Sequence, residues 1–147
     1  MSDSKRALVE RAVAAAVSVR PILESRATAL PTVVAPTDAA LAAARQWLLD
    51  GDPASPARAC ADAVPVIARA WLSWDELASV TKDLVALKRA LHAAEAAVLA
   101  ARAAAWTPAE AERAASGDGQ ARARATIGPF WEADEAERCA ALAQGLS

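Results

Sequence analysis

Apolar positions recur along this chain at spacings of three and four, the mark of helices that bury one face. Between Ser4 and Arg20, Val9, Val13 and Val17 stand four apart, with Leu8, Ala12, Ala15 and Val19 beside them. This predicts a first helix with a broad apolar face. Pro21 is expected to end or kink it, because the pyrrolidine ring clashes with the preceding turn. Leu30 to Pro36 reads as an extended connector pinned by two prolines, or as a short edge strand without a partner. Thr37 is then the expected N-cap of a helix over Asp38–Asp50. Leu41, Ala44 and Leu48 make one stripe of it, Ala40, Ala43 and Trp47 the next, and Gly51 the stop.

Ser55-Pro56 reads as the next start, a cap followed by proline at the first helical position. Pro65 is expected to break or kink that helix near Ala63 before it resumes through Trp71. Ser73-Trp74-Asp75-Glu76 has the spacing of a capping box. No Gly or Pro follows until Pro108, so a continuous helix over Trp74–Ala105 is expected. It would be roughly 48 Å long, against about 38 Å for a compact sphere of this chain length. The molecule is therefore expected to be elongated, or this helix to project, bend or pair with a second chain. Leu84, Leu87, Leu91, Ala94, Val98, Ala101 and Ala105 form its seam. Thr107-Pro108-Ala109-Glu110 opens a short helix that stops at a loop over Ser116–Gly119. A helix over Gln120–Ile127 follows, Gly128-Pro129 breaks it, and a last helix runs from Phe130 to Gln144, ending at Gly145.

Composition sharpens the fold class. Of 147 residues, 44 are alanine, and there are five Gly, one Phe and no Tyr. Alanine favours helices and is depleted in strands, so one all-α domain spanning 1–147 is expected, a bundle of about six helices with one long central helix. A net charge of −2 gives no electrostatic pull towards nucleic acid. Arg113, Arg122, Arg124 and Arg138 are scattered, with no aromatic residues interleaved as a stacking platform requires. The apolar stretch Ala7–Val19 is interrupted by Glu10, Arg11 and Ser18, so neither a signal peptide nor a membrane span is expected. Cys60 and Cys139 lack metal-motif spacing and read as buried free thiols. A cytoplasmic location follows as the expectation.

Candidate chemistry is sparse. His92 is the single imidazole, with Lys88 one turn before it and Glu95 three residues after, placed to hold it. It reads as a boundary histidine, although a pairing in space with Cys60 or Cys139 stays open. Glu132, Asp134, Glu135 and Glu137 crowd the last helix and read as a solvated face that complements its dipole. A di-metal carboxylate bundle needs Glu-x-x-His pairs, and His92 has no Glu three residues before it. No catalytic residue, metal site or cofactor is expected. The five tryptophans fill space that alanine cannot, and one or two are expected to be exposed anchors for a partner. Trp71 and Trp74 at a helix boundary come first, then Trp131.

The stretch Arg20-Pro-Ile-Leu-Glu24, then Pro36 to Gly51, then Ala57-Arg-Ala-Cys-Ala-Asp62, resembles a helical family of immunity proteins of bacterial polymorphic toxin systems. Those chains place an Ala-Ala-Arg-x-Trp-Leu segment after a proline-rich connector. The matching residues are Pro36, Leu41, Ala44, Arg45, Trp47, Leu48 and Gly51, and the resemblance covers roughly residues 20–62. The family's histidine-bearing helices have only an echo in Leu87-Lys-Arg-Ala-Leu-His92. The resemblance implies a cytoplasmic all-α protein that binds and blocks a toxin or effector, with Arg45 and Trp47 at the contact. The expected function is thus non-enzymatic binding of another protein. The alternatives are a self-associating scaffold, dimeric through the Leu84–Val98 seam, and an enzyme or carrier using Cys60, Cys139 or His92 beside a Trp-lined pocket.

Overall fold

Proline enters four of the five described helices without ending any of them. The computed structural model describes residues 2–73, 83–107, 119 and 128–145. Among them are five helices: α1 (Ser2–Glu24), α2 (Val34–Asp50), α3 (Ala54–Leu72), α4 (Leu84–Ala105) and α5 (Pro129–Ala143), with no strand. Pro21 was expected to end or kink α1 and Pro65 to break or kink α3; neither ends its helix, and both helices run through them. Each proline lies on the solvent side, and the carbonyl each leaves unbonded, on Val17 and Ala61, belongs to an exposed residue that water can reach. Pro36 and Pro56 occupy the third position of α2 and α3, where a helix needs no N–H, so helix takes over the last three residues of the expected extended connector, a turn precedes it, and both helices start earlier than Thr37 and Ser55. Thr37 is buried inside α2 instead of capping it.

The expected continuous helix over Trp74–Ala105 is also corrected. Asp83 has non-helical dihedrals (φ −97°, ψ 80°), and its side chain accepts the Ala86 N–H, making it the N-cap of α4. A helix of 22 residues is about 33 Å long and fits within a compact molecule. Residues 74–82, 108–118 and 120–127, and with them all but the first residue of each expected capping box and the expected Gln120–Ile127 helix, lie outside the described residues.

α4 packs against all four other described helices. Around it, α2 contacts α3 and α1, and α1 contacts α5, so the neighbours run in the order α3, α2, α1, α5. Among the described residues this ring is open between α3 and α5. Ten of the fourteen buried residues of α4 are alanine, and small side chains let the surrounding helices approach closely. Leu87, Leu91, Ala94 and Val98 are buried there, so the seam offered above for a homodimer is consumed by the chain's own helices. α1 contributes Val9, Ala12, Val13, Ala16, Val19 and Leu23 to the same core, while Val17 turns outward. Strict four-residue spacing drifts by about 40° per step around a 3.6-residue helix, which carries Val17 off the face.

Ion pairs tie the outer helices together. Arg11 of α1 donates to Asp134 (3.0 Å) and to Glu137 of α5. Arg20 forks onto Asp38 of α2 at 3.0 and 2.8 Å, and also reaches Glu24. The carboxylates of α5 therefore join helices as well as complementing a dipole. No described helix is long and apolar enough to cross a membrane.

Candidate functional site

The opening between α3 and α5 is a cavity of about 340 Å³. Trp71 walls it from α3, Trp131, Glu135, Arg138 and Cys139 from α5, and Glu95, Val98, Leu99 and Arg102 of α4 form its floor. Trp71 is held at the last turn of α3, which Ser73 closes by donating its N–H to the Arg69 carbonyl. Gly128 (φ 69°) turns the chain into α5 with Pro129 at the first helical position, and so fixes where Trp131 projects. Beside each of these two tryptophans in sequence stands an exposed bulky apolar residue, Leu72 and Phe130.

His92 and Glu95 share one face of α4, a turn apart, and Cys139 of α5 meets them. Their donor atoms all lie within 4.8 Å of one another. His92 Nδ1 stands 3.1 Å from Glu95 Oε1, yet neither of these atoms, nor His92 Nε2, makes a hydrogen bond. The Trp71 indole donates a hydrogen bond to the Glu95 carboxylate and lies tilted against the imidazole, ring centres 5.3 Å apart. Arg138 is engaged by Glu135, its guanidinium meeting both carboxylate oxygens at 2.6–3.0 Å.

Burial governs the charge states. It holds the His92 imidazole below its ordinary value, with the positive charges of Lys88 and Arg138 adding to the effect. It raises the Glu95 carboxyl, against the Trp71 hydrogen bond and Arg138. The Cys139 thiol is pushed up to about 12, first by burial and then by Glu95. A thiol so displaced is a poor nucleophile at neutral pH. As it stands, the trio offers a neutral imidazole and two groups reluctant to ionise.

The residues singled out from sequence divide between places. Trp71 and Trp131 come together at this cavity; Trp74 lies outside the described residues. Trp47 is buried in the core, with the Lys5 ammonium 4.5 Å over its ring. Lys5 also donates to the Trp106 backbone carbonyl at 2.7 Å, so its ammonium links the start of α1 to the ends of α2 and α4. Arg45, two positions away on α2, faces the other way, into a groove with Val17, Pro21, Leu41 and Leu49. Arg45 and Trp47 thus share no surface, and Trp47 is not an exposed anchor. Cys60 and Cys139 are buried free thiols.

Of the two cysteines left open as spatial partners of His92, the structure brings in Cys139, and Glu95 makes a group of three that sequence reasoning did not put together. The i, i+3 pair was visible; its third member depends on which helix α5 lies beside. In comparisons with known proteins, the chain matches no family model, no curated protein and no solved structure.

Proposed function

We propose that this chain is a non-enzymatic protein that acts by binding another protein, and that the α3–α5 opening is its contact surface. The observation that carries this reading is the pairing of Trp71 and Trp131 across one cavity, with exposed Leu72 and Phe130 beside them in the chain. Aromatic side chains around a cleft are the residue types on which binding energy concentrates. The fitting partner presents an apolar side chain between the indoles and polar groups to Glu135 and Arg138. The unactivated Cys139 thiol supports binding over nucleophilic chemistry. An inhibitor of the immunity type, directed at a toxin or effector in the cytoplasm, is the form that the resemblance over residues 20–62 favours.

The test is in-cell cross-linking from the source organism, comparing wild type with Trp71→Ala, Trp131→Ala and Arg45→Ala. A stoichiometric partner is expected, held at least about 30-fold more weakly by either Trp variant, and unaffected by Arg45→Ala on the α1–α2 groove across the ring. A partner lost only with Arg45→Ala would move the interface to that groove. A stable dimer in light scattering, without a foreign partner, would replace this reading by self-association.

A further inference from the structure

We propose that His92, Glu95 and Cys139 form a mononuclear binding site for a zinc-class divalent cation, with one coordination position open to the α3–α5 cavity. The inference does not depend on the partner contact proposed above. It starts from geometry. Three side chains of ligating type, from two facing helices, bring an imidazole nitrogen, a carboxylate oxygen and a sulfur within 4.8 Å of each other. Bonds of 2.0–2.3 Å in a tetrahedral shell place ligand atoms about 3.5 Å apart. The His92–Glu95 separation of 3.1 Å is already close to that, and small side-chain rotations bring in Cys139.

The alternative, a polar cluster that satisfies itself, does not account for the contacts. Both His92 nitrogens and Glu95 Oε1 are buried without a hydrogen bond, an arrangement that costs free energy unless something occupies the lone pairs. The pair is not left free to turn away, either. Trp71 holds the carboxylate through its indole N–H and packs on the imidazole, the kind of outer contact that orients metal ligands. Arg138, the cation that lines the cavity beside Cys139, is paired with Glu135.

The donor set selects the ion. Thiolate and imidazole suit zinc and its neighbours among first-row metals, whereas magnesium and calcium require oxygen ligands. Charge balances as well: a dication bound by one thiolate and one carboxylate leaves no net charge in a half-buried place. The thiol proton of Cys139 passes to solvent on binding. Glu95 and Cys139 both line the cavity, so the fourth position faces it and water fills it. Three protein ligands with water in the fourth position is a shell that zinc takes wherever its coordination is left open.

The experiment is titration of the chelator-treated full chain with Co(II), read by absorption. One ion per chain is expected, with a thiolate-to-cobalt charge-transfer band in the near ultraviolet and the intense visible bands of a four-coordinate ion. Cys139→Ser should abolish the charge-transfer band, Cys60→Ser should leave it, and His92→Gln should weaken binding at least about 10-fold. Zn(II) should displace the cobalt and raise the thermal midpoint of wild type but not of Cys139→Ser; Mg(II) and Ca(II) should do neither. Absence of the band at stoichiometric cobalt, its survival in Cys139→Ser, or its loss in Cys60→Ser would overturn the site. Should Cys139→Ser fail to fold by circular dichroism, Glu95→Gln and His92→Gln carry the same test.

Discussion

A β-carbon on Gly128 would stand 3.1 Å from Cζ2 of the Trp106 indole, closer than such contacts normally come. The residue also holds φ at 69° and ψ at −144°, a conformation side chains avoid. Gly128→Ala therefore meets two obstacles, and is expected to cost about 2–3 kcal/mol. Thermal unfolding should show a midpoint lower by about 5–10 °C. An unchanged midpoint would mean that α5 does not enter the fold past Trp106 in this way.

Asp83 carries the start of α4 on one side-chain hydrogen bond, to the Ala86 N–H at 2.9 Å. Asp83→Ala should lose about 1 kcal/mol in urea unfolding, while Asp83→Asn, an equally good cap, should keep nearly all of it. The longer contact to Arg26, at 3.6 Å between a half-buried guanidinium and an exposed carboxylate, adds little. Equal losses in the two variants would transfer the role from the cap to that ion pair.

The fold class and several helix ends were legible because their signals are local. Gly51, Gly128-Pro129 and Gly145 each stop or start a helix through their own dihedrals. Pro21 and Pro65 end neither helix because the cost of a proline depends on where the freed carbonyl points, and that is decided by which face of the helix meets the core. The helix start at Asp83 carries no glycine or proline to mark it in the sequence. At the site, His92 and Glu95 declare their adjacency through helical spacing. Cys139 joins them only because α5 and α3 both lie along α4 and leave a gap between them. No property of a single segment encodes that.

Thr37 Oγ1 is buried and has no hydrogen-bond partner. Replacing the hydroxyl by a methyl removes that deficit while keeping the shape, so Thr37→Val should stabilise the protein by roughly 1 kcal/mol in chemical denaturation. A loss of similar size would show that the hydroxyl has a partner after all.

The contribution of His92 to stability should fall in mild acid, and that of Glu95 should rise. The folded-state His92 lies below its ordinary 6.5, so its contribution is complete above pH 6.5 and is lost as pH falls through the folded value. Glu95 lies above its ordinary 4.5 and works in the opposite direction: its contribution is complete below 4.5 and is lost as pH rises through its own folded value. In chelator-treated protein, urea midpoints measured below pH 6.5 should therefore decline more steeply in Glu95→Gln than in wild type. They should flatten in His92→Gln. Parallel profiles for all three proteins would place the acid sensitivity elsewhere.

The Cys139 thiol, pushed up to about 12, holds roughly one thiolate in ten thousand at pH 8. With Cys60 also buried, a thiol reagent should find neither group in native, chelator-treated protein, and both within seconds of adding denaturant. Rapid native labelling of one thiol would show that its surroundings open readily.

A helix whose buried face is mostly methyl groups changes how this protein must be mapped. Alanine scanning, the usual way to locate residues that matter, is silent at ten of the fourteen buried positions of α4, because alanine is already there. The informative direction is enlargement. A valine or leucine scan from Ala90 to Ala105 would push neighbouring helices apart one at a time, at about 1–3 kcal/mol for each overfilled position. The pattern of tolerance would trace where the ring is closed and where it opens, with the mildest substitutions marking the side that faces the gap.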